Sequence, residues 1–209
     1  MLNKLLLFPF LLLFFVACTN NDKIIKEAEN ISVKLKVNHL ENELFTLKSA
    51  NETQAFLNKH PDFVENYLEL PYPVIDSQFV SVFFKFYSDP NLKAFYEETR
   101  KMFGDFSAQK SELIKMFQYI KYYFPKYNIP EINTLVSGFK FDKDIQVGDS
   151  SVFISYDYFI GPEATYRPKT YEYILTRYQK PYLVPIVALA LSSQFNNANL
   201  KDESMIASM

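Results

Sequence analysis

Ile31-Ser32-Val33-Lys34-Leu35-Lys36-Val37-Asn38-His39 alternates apolar and polar side chains without a break. Successive side chains of a strand leave on opposite faces, so a period of two marks a half-buried β-strand. His39 falls in phase with the apolar face at the end of that strand. It is read as structural, because the second histidine or carboxylates that a ligand role needs are not apparent. Further down the chain, residues 132–139 and 151–159 are again rich in branched and aromatic side chains. Between them, Asp142-Lys143-Asp144 and Gly148-Asp149 mark a turn or hairpin loop. The two aspartates of the first group lack the alternating oxygen ligands and closing glutamate of a calcium loop, so a solvated turn is expected. Strands near both ends with helical sequence between them predict an α+β fold: a small sheet of about three strands packed by several helices.

The helices announce themselves by their ends. Asn51 with Gln54 reads as a capping box, and His60-Pro61 closes that segment. A partly protonated His60 at the negative end of the helix dipole needs no chemistry to explain it. A short helix is expected over 62–68, then an extended turn at Pro71-Tyr72-Pro73. Ser77 caps a helix carrying Phe79, Val80, Phe83 and Phe84. Asp89-Pro90 opens another, with Leu92, Phe95, Tyr96 and Met102 toward the core and Gly104 as terminator. The longest helix is expected over 107–124, with Leu113, Phe117, Ile120 and Phe124 in one stripe and Pro125 stopping it. Thr170 opens a helix through Arg177, and residues 182–191 read as a buried helix too short to span a bilayer.

The beginning of the chain decides location. Lys4 precedes an uncharged run over residues 5–16, then Ala17 and the chain's one cysteine, Cys18. As a helix that run covers about 18 Å, short of a ~30 Å hydrocarbon layer, so residues 1–17 read as a secretory signal. Phe15-Val16-Ala17-Cys18 resembles the lipobox of bacterial lipoproteins, with Phe15 where leucine is usual. The resemblance implies that Cys18 is lipidated and becomes the mature first residue. Thr19, in place of an inner-membrane-retaining aspartate, favours the outer membrane over the inner. Residues 18–30 read as lipidated cysteine and polar tether, and 31–209 as a single domain.

Composition narrows the partners. The net charge of -2 comes without any basic block, which argues against nucleic acid. With Cys18 taken by lipid, no thiol remains for disulfides, catalysis or metal. Phe and Tyr are abundant while Trp is absent, which reads as an aromatic core rather than a sugar-binding platform. No serine elbow, phosphate loop or His-acid pair at useful spacing is visible. The strand-then-helix order near the C-terminus is similar to zinc-peptidase scaffolds, but Ile186-Val187-Ala188-Leu189-Ala190 stands where His-Glu-x-x-His would be needed. No metal and no cofactor are expected.

Phe103-Gly104-Asp105, the run Tyr119-Ile120-Lys121-Tyr122-Tyr123-Phe124-Pro125, then Pro130, Thr134 and Ser137, together with Ile154-Ser155-Tyr156-Asp157-Tyr158-Phe159-Ile160-Gly161 and Val184-Pro185, resemble the GldB family of gliding-motility lipoproteins of the Bacteroidetes. The resemblance covers nearly the whole chain and is strongest over 95–161. It implies a lipid-anchored envelope protein that acts through protein-protein contact with motility or secretion components, without catalysis. The alternative is a degenerate peptidase-like or hydrolase-like domain that binds a peptide or glycan in a cleft beside the strand containing Asp157. Tyr123, Asp157 and Tyr158 are the candidate binding surface. The family continues past the point where this chain stops, which implies an incomplete reading of the gene. Residues 202–209 are then expected to be poorly held, leaving apolar surface around Val187 and Leu191 without its natural cover.

Overall fold

The computed structural model describes residues 19–74 and 76–195. Cys18, the signal stretch and residues 202–209 lie outside the described residues. The chain forms two compact units: among the described residues, 19–34 with 114–127, and 35–113 with 128–195.

The larger unit is built on a four-stranded mixed sheet of β1 (Val37–His39), β2 (Glu131–Leu135), β3 (Ile145–Val147) and β4 (Ser151–Ser155), in the order β1-β2-β4-β3. β1, β2 and β4 run parallel, with Val37 opposite Ile132 and Thr134 opposite Ile154, and β3 is antiparallel on the outside of β4. The sequence reading differs here in three ways. Of the alternating opening stretch only Val37–His39 pairs as strand, extended by the Ile132 N–H that donates to Lys36 O at 3.0 Å. Burial alternates all the same: Leu35 is buried between exposed Lys34 and Lys36. The expected hairpin joins β3 to β4 at Gly148, whose N–H donates to Ser151 O at 2.8 Å, while the two longer strands lie side by side in parallel. The strand expected to reach residue 159 ends at Ser155 and turns into a 3-10 helix, Tyr156–Phe159. Every residue from 151 to 160 is buried, so no alternation marks where pairing stops.

α2 (Leu40–Leu44), α3 (Ala50–Lys59), α4 (Ser77–Tyr87) and α5 (Pro90–Phe103) follow β1, after α1 (Thr19–Glu29). α3 ends on His60 as expected, but its cap is Ser49, which accepts the Glu52 N–H while Glu52 accepts the Lys48 N–H. Likewise Asp76 caps α4, one residue before the expected Ser77. Asp89 caps α5 and Gly104 ends it, both as expected. Of the core residues assigned to α5, Leu92 and Phe95 are buried whereas Met102 is exposed, its place taken by Thr99 and Phe103. Residues 63–67 form one π-helical turn that stacks Phe63 on Tyr67 at 5.3 Å and sets both against Phe153 of β4, at 6.0 and 5.6 Å. Tyr67 Oη pairs with Ser155 Oγ at 2.8 Å, so the polar tip of this buried ring is satisfied. Phe and Tyr thus build much of the core, while Tyr72, Tyr166, Tyr171, Tyr173 and Tyr182 stay exposed.

α6 (Ser107–Tyr123) stops before Pro125. α7 is only Glu172–Leu175, shorter than expected and without a buried residue. α8 (Leu183–Ser192) packs on β3 through one face, with Leu183, Val184, Val187 and Leu191 buried and Leu189 exposed. Val187 and Leu191 are themselves fully buried, while in the apolar surface around them, expected to lack cover, Leu189 is exposed. In the smaller unit the segment read as a tether is helical as α1. Its end is held by Gln118 Nε2, which donates to Glu29 O at 2.9 Å and Ile31 O at 3.0 Å, and by Tyr122 Oη, which donates to Glu27 at 3.0 Å.

Candidate binding cleft

In open sheets, ligands gather beyond the carboxyl ends of parallel strands, where the chain turns out of the ladder. Here those ends are His39, Leu135 and Ser155. After β2 the chain turns through Ser137-Gly138-Phe139 with Gly138 at φ +58° and Phe139 at φ +59°. A Cβ on Gly138 would meet Leu92 Cδ1 at 2.7 Å, so both backbone angle and space require glycine. Left-handed Phe139, and Asp142 at φ +49° further along, each cost on the order of 1–3 kcal/mol and persist only where their surroundings hold them.

Asp157 holds the start of this loop at Ser137 and Gly138, and Ser137 Oγ in turn accepts the Phe139 N–H. The aspartate is fully buried on the 3-10 turn after β4, and its carboxylate accepts from Ser137 N–H at 3.0 Å, Gly138 N–H at 2.9 Å and Ser137 Oγ at 3.1 Å. Burial pushes its carboxyl up to about 6, against the hydrogen bonds from Ser137 and Gly138 that pull it down. The group ties the end of β4 to the loop after β2. With its oxygens committed to that loop, Asp157 acts as a positioning residue.

Tyr158, the next residue, sits edge-on between Phe139 at 5.0 Å and Tyr178 at 5.3 Å. Tyr178 Oη donates to Asp144 at 3.0 Å, which anchors the far wall. Burial pushes the Tyr158 phenol above its ordinary range, so it stays neutral and able to donate. These rings line a cleft of about 560 Å³ with Tyr166, Arg167, Lys169 and Asp142. A smaller apolar recess of about 160 Å³ shares Gly138, Phe139 and Tyr166 with it and reaches Leu92 and Phe95. Just past the cleft-lining Thr170, Tyr171 and Tyr173 stack at 5.8 Å with most of their surface in solvent. Of the three residues picked from sequence, Tyr158 lines the cleft and Asp157 supports it. Tyr123 belongs to the other unit, exposed at the end of α6.

A second polar cluster was missed in the sequence reading. His39 Nδ1 lies 3.0 Å from Glu41 and 2.9 Å from Thr134 Oγ1, and the Thr134 hydroxyl donates to the same carboxylate. Glu41 is almost fully buried. With the hydroxyl proton given to Glu41, the network assigns the ring proton to Nδ1. The hydrogen bond to Glu41 raises the His39 pKa, with burial opposing it. A histidine-carboxylate pair is therefore present, and the spacing His39-x-Glu41 at the end of an alternating strand was its signal. His39 and His60 both line a polar cleft of about 540 Å³ with Asn38, Glu43 and Asn133. His60 was expected to be partly protonated. Burial instead pushes its pKa down, although Glu43 lies 3.6 Å away. Among the described residues, no three histidine, cysteine or acidic side chains stand together as metal ligands.

No curated protein matches the chain, and no solved structure does. Among protein families, the one described as gliding motility protein GldB matches residues 21–209. That match takes in both compact units, the Asp157-pinned loop and the aromatic cleft, and so this chain belongs to the GldB family of gliding motility proteins.

Proposed function

We propose that this protein is a lipid-anchored envelope component of the gliding apparatus that works by binding another protein, with the aromatic cleft as its contact site. Residues 1–17 serve as the signal, Cys18 carries the lipid, and 31–209 form the working domain, held at the outer membrane in preference to the inner. The observation that carries the binding role is Tyr158, clamped between Phe139 and Tyr178 over a loop that Asp157 holds in a strained form. Rigid aromatic walls flanked by an arginine are the surfaces on which protein contacts concentrate their energy. No catalytic step is required of the site.

Photo-crosslinking from position 166 in intact cells tests this. A discrete envelope protein should be captured, and Tyr158→Ala combined with Arg167→Ala should abolish the capture while the protein stays folded. Unchanged capture with both changes in place would exclude the cleft as the contact site. Cys18→Ser should leave the precursor unprocessed or mislocalised. Release of unmodified wild-type protein from membranes without detergent would contradict the anchor. Metal analysis after dialysis should find no stoichiometric zinc; zinc that disappears on replacing His39 or His60 would favour the peptidase-like alternative.

A further inference from the structure

Charge is divided unevenly between the two units. Residues 19–34 and 114–127 hold six lysines against Asp22, Glu27 and Glu29, a formal +3, although the full chain stands at -2. The same unit exposes large apolar side chains: Tyr123 at 59%, Phe124 at 47% and Ile25 at 40%. Tyr123 and Phe124 close α6 and run into Pro125 and exposed Lys126. Lys121 Nζ donates to Tyr127 O at 3.1 Å and to Pro125 O, so the turn after the helix is held in place. Aromatic rings and lysine stems together suit the boundary between headgroups and acyl chains, where one end of each side chain is apolar and the other wet.

We infer that this unit is a second membrane contact, seating Tyr123, Phe124 and Ile25 in the headgroup layer of an anionic bilayer. The inference rests on the lipid-anchor reading above, because α1 begins at Thr19, directly after Cys18. A helix of 11 residues is about 16 Å long at ~1.5 Å per residue. Laid along the surface it keeps the end of α6, fastened to α1 through Gln118 and Tyr122, within reach of the headgroups. Excess lysine supplies the attraction to anionic lipid, and the acyl anchor supplies the concentration.

The chain contains no tryptophan, so a single introduced indole reports cleanly. Full-length lipidated protein carrying Tyr123→Trp, or Tyr173→Trp as control, is reconstituted into phosphatidylethanolamine–phosphatidylglycerol vesicles with brominated acyl chains. Emission at position 123 should be quenched by about two-fold or more, as expected of a ring at the acyl boundary, and emission at position 173 should not. Lys115→Glu with Lys126→Glu should reduce that quenching, as should high salt. No quenching at 123, or equal quenching at both positions, overturns the inference and leaves that face to a protein partner. Mass analysis of the Cys18 peptide separates the two readings. If Cys18 carries no lipid the anchor fails by itself, and sedimentation with the anionic vesicles but not with phosphatidylcholine vesicles then still supports this contact, whereas sedimentation with neither overturns it.

Discussion

Asp157 shows how a single buried carboxylate is pulled in two directions. Three donors favour its ionised form and burial favours its neutral form, and burial prevails, lifting the pKa to about 6 from an ordinary 3.8. A carboxyl raised in the folded state holds its proton more tightly there than in the unfolded chain. Its contribution to stability is therefore full below about pH 4 and lost as pH rises through about 6, roughly 3 kcal/mol at ~1.4 kcal/mol per unit. Urea unfolding of wild type and Asp157→Asn across pH 4 to 7 should show a fall in stability with rising pH in wild type that the variant lacks. Parallel curves would mean that the carboxylate does not titrate in that window. His39 carries the same sign by another cause: Glu41 raises its pKa, so the pair's stabilisation is present below the ordinary histidine value and lost as pH rises through the higher folded one. Glu41→Gln should move the His39 ring titration, followed by NMR, to lower pH. Gly138→Ala should destabilise through both its positive φ and the contact with Leu92, by on the order of 1–3 kcal/mol.

Among the elements, helix ends were easier to read than strand ends. Asp89-Pro90 and Gly104 bracket α5 as their chemistry requires, because a cap is a local matter of one side chain and two or three N–H groups. Asp89→Ala should cost about 1 kcal/mol in chemical denaturation, and an unchanged midpoint would show that α5 is held by packing alone. The one-residue and two-residue shifts at Asp76 and Ser49 have the same origin. Ser49 stands two residues before Asn51, and Asp76 directly before Ser77, and local sequence does not rank such neighbours. Strands fared differently. Burial follows the sequence alternation over 31–36 and is uniform across 37–39, and the ladder takes only these last three residues since pairing depends on where β2 lies. The segment 151–160, buried throughout, gave no period at all, so the 3-10 turn that carries Asp157 and Tyr158 was read as strand.

At the scale of the whole molecule, charge divides unevenly between the two units. The smaller unit is basic, so the remainder of the chain is strongly acidic, and only the basic unit adjoins Cys18. On the proposed anchor and membrane contact, a variant that loses Lys115 and Lys126 should associate with vesicles in a way less sensitive to salt than wild type, measured by sedimentation between low and physiological ionic strength. The sequence by itself determined the family, the α+β class, the aromatic character of the core and most helix boundaries, because periodicity, capping and motif are properties of neighbours along the chain. It also held Tyr158 and Asp157 as candidates without their roles. Only the tertiary structure decided that β2 and β4 lie parallel and that Asp157 pins the loop after β2. It alone placed Thr134 beside His39 and Glu41 and brought Tyr158, Tyr166 and Tyr178 around one cleft. Each of these joins residues from different elements through a hydrogen bond or a ring contact, and such contacts are fixed by how the elements pack, which no local pattern records.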